Sequence, residues 1–146
     1  MKKLITTLVL GVILILPTAL SADQAKGLNV LINSSNPQTQ SMAMVLSMMS
    51  IKKHNKKVSI VLCSDAGDLA LKGMKSTPVK RPNGKEITPK QNLKMLMKLG
   101  AKVQVCPLYL PNASKDASAL LEGITVAKPP MVAAKLLDKD YQNLSF

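Results

Sequence analysis

The two cysteines of this 146-residue chain, Cys63 and Cys106, are the residues whose type and placement best fit chemistry. Each closes an apolar run: Val58-Ser59-Ile60-Val61-Leu62-Cys63, and Ala101-Lys102-Val103-Gln104-Val105-Cys106, the latter stopped by Pro107. Short runs of this kind, rich in β-branched residues and bounded by turn formers, read as strands. In an open parallel sheet, ligands and reacting groups collect beyond the carboxyl ends of the strands, where both cysteines fall. A thiolate there attacks sulfane sulfur or disulfides, and neighbouring lysines or a helix N-terminus would raise the thiolate fraction. Cys106 is the sharper candidate, because the proline-fixed turn after it would present its sulfur at the edge. Two other fates compete: a buried, inert thiol, or a bond to Cys63. A Cys63–Cys106 bridge would close a loop of 43 residues, worth about 4 kcal/mol in the chain-entropy model. It requires Cα atoms within about 7 Å, a distance the sequence does not give.

Other constellations are weak. His54 is the only histidine and lies in a lysine run at a helix end, the place of a solvated residue; it leaves neither a zinc ligand cluster nor a Ser-His-Asp arrangement. No glycine-rich phosphate loop or dinucleotide fingerprint follows the first strand. Asp65 and Asp68 could face a cation, but capping explains them. Met42, Met44, Met48 and Met49 carry thioethers that suit Cu(I), yet on an amphipathic helix methionine usually fills the core. No metal and no cofactor is expected.

The elements that position the cysteines follow from pattern and punctuation. Leu28 to Ile32 is a first strand, Asn36 a helix cap and Pro37 a first-turn proline. The helix from Pro37 to about Lys53 places Met42, Val45, Leu46 and Met49 on one face, expected to be buried, and Asn55 suits a left-handed stop. After the Cys63 strand, a short helix is expected over 66–72. A long exposed loop with three prolines and Asn83-Gly84 follows over 73–89, fit to be a lid, and its basic residues Lys80, Arg81 and Lys85 are candidates for holding an anion or an acidic partner. A helix from Pro89 to Leu99 leads to the Cys106 strand. Beyond Asn112 a short helix through Leu120 and Leu121 precedes a strand over 124–127. Pro129 and Pro130 open a last helix to about Leu137, and 143–146 can form a fifth strand. Strands and helices that alternate this way build βαβ units around a parallel sheet.

Met1-Lys2-Lys3, an uncharged apolar stretch from Leu4 to Leu20, and small residues at Ala19 and Ser21 have the layout of a cleavable secretory signal, cut after Ser21. Residues 1–21 are thus read as a signal peptide and 22–146 as one domain, exported to the periplasm. No later stretch is long enough to span a bilayer. Loss of Lys2 and Lys3 takes the formal charge from +12 to +10. Nucleic acid is not the expected partner, because the stacking aromatics that single-strand binders use are nearly absent: two tyrosines, one phenylalanine and no tryptophan.

The order of these segments resembles the DsrE family of sulfur-relay proteins over nearly the whole mature chain. The resemblance rests on the opening strand and the helix with Ala43 and Leu46, on Lys57 to Gly67 followed by Leu69-Ala70, and on the Leu93 to Gly100 helix. It continues through Val103-Gln104-Val105-Cys106-Pro107, Leu121 to Ala127, and the terminal Phe146. It implies a three-layer α/β/α sandwich with a mostly parallel five-stranded sheet, assembled as a homo-trimer or hexamer. It also implies a sulfur carrier or sulfurtransferase that holds sulfane sulfur as a persulfide on Cys106, with a thiol-bearing protein or a small sulfur donor as partner. The alternatives are a non-enzymatic oligomeric module that binds an anion or a protein, with Cys63 and Cys106 structural, and a Cu(I) or redox-buffering protein.

Overall fold

The computed structural model describes residues 24–146; the signal segment read over 1–21 lies outside them. Five strands form one sheet: β1 (Gly27–Ile32), β2 (Lys57–Leu62), β5 (Lys102–Val105), β6 (Thr125–Val126) and β7 (Tyr141–Ser145). Their order is β6-β5-β2-β1-β7, and every pairing is parallel. The helices are α1 (Pro37–His54), α2 (Pro89–Lys98), α3 (Tyr109–Asn112) and α4 (Pro129–Leu136), with 3-10 turns at Ser64–Ala70 and Ala117–Ala119. This is the α/β sandwich that the sequence and its family resemblance imply.

Local chemistry sets the helix ends. The Asn36 side chain accepts from the backbone N–H groups of Gln38 and Thr39 at 2.9 and 3.1 Å, and Pro37 occupies a first-turn position where its missing N–H costs nothing. Asn55 stops α1 at φ 51°, in the left-handed region that asparagine tolerates. Thr88 opens α2 with a reciprocal box: its Oγ1 accepts from Gln91 N at 3.1 Å, and Gln91 Oε1 accepts from Thr88 N at 2.9 Å.

The two faces of the sheet differ in kind. Val30, Ile32, Ile60, Leu62, Val103 and Val105 are buried in a core shared with Ala43 and Met44 of α1 and Leu93 and Leu96 of α2. Because side chains alternate along a strand, Asn29, Ser59 and Gln104 point the other way, toward α4, whose Val132, Lys135 and Leu136 lie against them. That face is polar. Asn29 Nδ2 donates to Lys135 O at 2.6 Å and to Asn143 Oδ1 at 3.0 Å, and Lys135 Nζ donates to Ser59 Oγ at 2.6 Å.

Three expectations are corrected. On α1 the buried residues are Gln40, Ser41, Ala43, Met44 and Ser47, whereas Met42, Val45, Leu46 and Met49 are exposed (54, 44, 42 and 38 %). Between 42 and 49 the helix is apolar on nearly every side, so periodicity could not say which side meets the sheet, and two serines took core positions. The 73–89 segment is not an unstructured loop. It carries an antiparallel hairpin, β3 (Val79–Lys80) with β4 (Glu86–Ile87), turned at Asn83-Gly84 where Gly84 has φ 77°, a conformation glycine adopts without penalty. Finally, the helix expected through Leu120 and Leu121 is replaced by α3 and the 3-10 turn at Ala117–Ala119, and Leu120 instead makes a lone antiparallel bridge to Leu71.

Candidate thiol site at the carboxyl edge

β2 and β5 are neighbours in register, with Leu62 opposite Val105. The ladder runs one residue further: Cys106 N donates to Leu62 O and Cys63 N to Ile32 O, both at 2.8 Å. The cysteines therefore leave adjacent strands side by side, as free thiols that are each partly exposed. Their side chains hydrogen-bond to one another, and burial first, then that bond and the charge of Cys106, push the Cys63 thiol up to about 12. Cys63 stays protonated at neutral pH and donates to Cys106. Neighbouring strands lie about 4.8 Å apart, within the Cα range that a disulfide spans, so the same geometry admits a bridge under oxidation.

Both sulfurs open onto a cleft of about 470 Å³. Just after Cys63 the chain turns sharply at Ser64, whose φ of 45° is a left-handed conformation that costs a non-glycine residue about 1–2 kcal/mol. This turn swings the 3-10 segment over the strand ends, with Ala66 N donating to Cys63 O at 3.1 Å. After Cys106, Pro107 directs the chain into α3, with Tyr109 N donating to Cys106 O at 3.0 Å. The two segments are clasped together by Tyr109, whose hydroxyl donates to Asp68 Oδ1. Burial, followed by that carboxylate, raises the Tyr109 phenol well above its usual range. Gly67 is required here: a Cβ on it would fall 2.3 Å from Tyr109 Cδ2.

The cations anticipated beside the thiols are elsewhere. Asp65 and Asp68 line the thiol cleft, and no lysine or arginine does. Arg81 and Lys85 join Lys94 and Lys98 of α2 along a separate cleft of about 440 Å³, while Lys80 pairs with Glu86 across the hairpin ladder. Sequence reasoning thus found both sulfurs but missed Tyr109 and its bond to Asp68. The signal was present, since Tyr109 follows Cys106 by three residues, but its reach to Asp68 depends on the fold. Among the described residues, no group of three or more His, Cys, Asp or Glu side chains could hold a metal ion. The α1 thioethers do not converge either, with Met44 fully buried and Met42 and Met49 exposed.

No protein-family model matches the chain, and no curated relative does. Solved structures do. The chain is similar to the crystal structure of the YchN protein from E. coli, with a TM-score of 0.64 and 18% identity, over 82% of this chain and 99% of that one. It is also similar to the protein of unknown function MTH1491 from Methanobacterium thermoautotrophicum, with a TM-score of 0.58 and 12% identity, over 80% of this chain and 96% of the other. At these identities the likeness establishes the fold alone, an α/β sandwich around a parallel five-stranded sheet.

Proposed function

We propose that this protein is a DsrE-like sulfur carrier or sulfurtransferase of the periplasm, with Cys106 as the sulfur-bearing residue. The observation that supports the reading is the side-by-side placement of Cys63 and Cys106 at one carboxyl edge, on an open cleft, with Cys63 protonated and donating to Cys106. In the forward step the Cys106 thiolate attacks the sulfane sulfur of a donor persulfide. A new S–S bond forms on Cys106, the donor leaves as its thiolate, and no net electrons are exchanged. An acceptor thiolate then attacks that terminal sulfur, and Cys106 departs as thiolate. Cys63 holds the sulfur anion through its S–H in each state.

The carboxylates of Asp65 and Asp68 on the cleft oppose small anions such as thiosulfate, which favours a protein persulfide as donor. Arg81 and Lys85, with Lys94 and Lys98, form a basic surface away from the thiols that suits the acidic face of such a partner. The exposed stripe of Met42, Val45, Leu46 and Met49 on α1 supports assembly with further copies of the chain, because uncovered apolar faces of this kind mark interaction sites.

Peptide-level mass spectrometry of the reduced protein, before and after a protein-persulfide or polysulfide donor, tests the reading. Gain of one sulfur on Cys106, absent in Cys106→Ser, is the expected result. A thiol that never gains sulfur would overturn the carrier reading in favour of a binding module with structural cysteines.

A further inference from the structure

At the opposite end of the sheet, where β2 and β5 begin, a cleft of about 570 Å³ is lined by Lys56, Lys57, Lys102 and Lys135, together with Ser59 and Tyr141. The fold gathers these cations from three segments. Lys57 and Ser59 are two residues apart on β2 and share a face, Lys102 stands opposite Ser59 on β5, and Lys135 reaches in from α4 to donate to Ser59 Oγ at 2.6 Å. No aspartate or glutamate lines the cleft, and among the described residues the ion pairs formed are those of Lys26 and Lys139 with Asp140. The negative end of α1 lies nearby, but Lys52, Lys53 and His54 in its last turn already answer it.

Like charges drawn together without a counter-charge are unfavourable. Burial, then the charge of Lys102, lowers the Lys135 ammonium from its ordinary value. Ser59 stands among these cations and adds a hydroxyl to the lining of the cleft. The gathering of cations is explained if the site carries an anionic ligand rich in hydrogen-bond acceptors.

We propose that the amino-edge cleft binds a small polyvalent oxyanion of the phosphate or sulfate type, held by Lys57, Lys102 and Lys135 with Lys56 at the rim. Six residues of β2 at about 3.3 Å each put it roughly 20 Å from the thiols, so this site is independent of the sulfur-carrier reading. Its volume, within the 300–1,000 Å³ usual for ligand pockets, accommodates an anion larger than a single phosphate.

Calorimetric titration with inorganic pyrophosphate at low ionic strength tests it, with sulfate as the smaller probe. Saturable one-to-one binding is expected, tighter for pyrophosphate than for sulfate. Lys57→Gln/Lys102→Gln should weaken it roughly tenfold or more, and Lys102→Gln alone part of the way. Both replaced side chains are exposed, so circular dichroism should be unchanged. The charge-matched Lys115→Gln/Lys128→Gln should bind as the parent does. Non-saturable uptake, or equal weakening in both double variants, would mean general attraction to a basic protein and would overturn the site.

Discussion

Gly67 lies face-on against the ring of Tyr109, so close that no side chain fits between them: a Cβ at 67 would stand 2.3–2.5 Å from three ring carbons. The contact joins the segment after Cys63 to the segment after Cys106, and the Tyr109–Asp68 hydrogen bond closes the same joint. Gly67→Ala must therefore move the ring or the 3-10 segment. The expected cost is about 1–3 kcal/mol, as for other overpacked sites, read as a fall in Tm. Tyr109→Phe keeps the ring and loses the bond, and should cost about 1 kcal/mol. Equal stability of Gly67→Ala and parent would contradict the contact.

Thiol titration should separate the cysteines. With Cys63 raised to about 12, iodoacetamide at neutral pH should label Cys106 first, and labelling of Cys63 should climb only in strong alkali. In Cys106→Ser the charge of the neighbour is gone, so Cys63 should react at lower pH than in the parent. The sign for stability follows from linkage. The folded thiol holds its proton above the ordinary value of 9.0, so this contribution is present in full below pH 9 and is lost as pH rises from about 9 toward 12. A stability profile flat over that window in the parent would contradict the assignment.

The orientation of α1 makes a sharp mutational contrast. Met44 is fully buried and Met42 is 54 % exposed, two positions apart on one helix. Met44→Ala should cost about 2–5 kcal/mol, whereas Met42→Ala should change the stability of the isolated chain by less than about 0.5 kcal/mol. If the exposed stripe joins copies of the chain, Val45→Glu/Met49→Lys should reduce the particle mass measured by light scattering while leaving the fold intact.

Lys90 tests the order of the hairpin segment. Its buried ammonium donates to Leu71 O, and to Met74 O at 2.7 Å. Burial, then the charge of Lys94, lowers its pKa. Lys90→Met keeps the stem but strips a donor from two carbonyls, which should cost about 1–3 kcal/mol and speed proteolytic nicking between residues 72 and 88. Unchanged proteolysis would show that the tether does not hold the segment.

Much of this protein was legible in one dimension. Strands and helices alternate with their caps written beside them: Asn36 and Pro37, Asn55, Pro89, Pro129. Pattern and punctuation are local, so the five parallel strands and the placement of Cys63 and Cys106 at strand ends could be read directly. What the sequence left open was every question of which side faces what. α1 is apolar around most of its circumference, and only packing against β1, β2 and α2 chose Met44 over Met42. The hairpin over 79–87 was written in Asn83-Gly84 but hidden by two-residue strands too short to show alternation.

The site divides in the same way. The residue types determined that a thiol could act and that the chain is basic. Only the tertiary structure decided that β2 and β5 are neighbours, which sets the two sulfurs in contact. The same neighbourhood brings Asp65, Asp68 and Tyr109, rather than lysines, to the thiols, and gathers four lysines at the far edge of the sheet. Such pairings depend on strand order and crossover, long-range choices made by burial of the whole sheet rather than by any run of neighbouring residues.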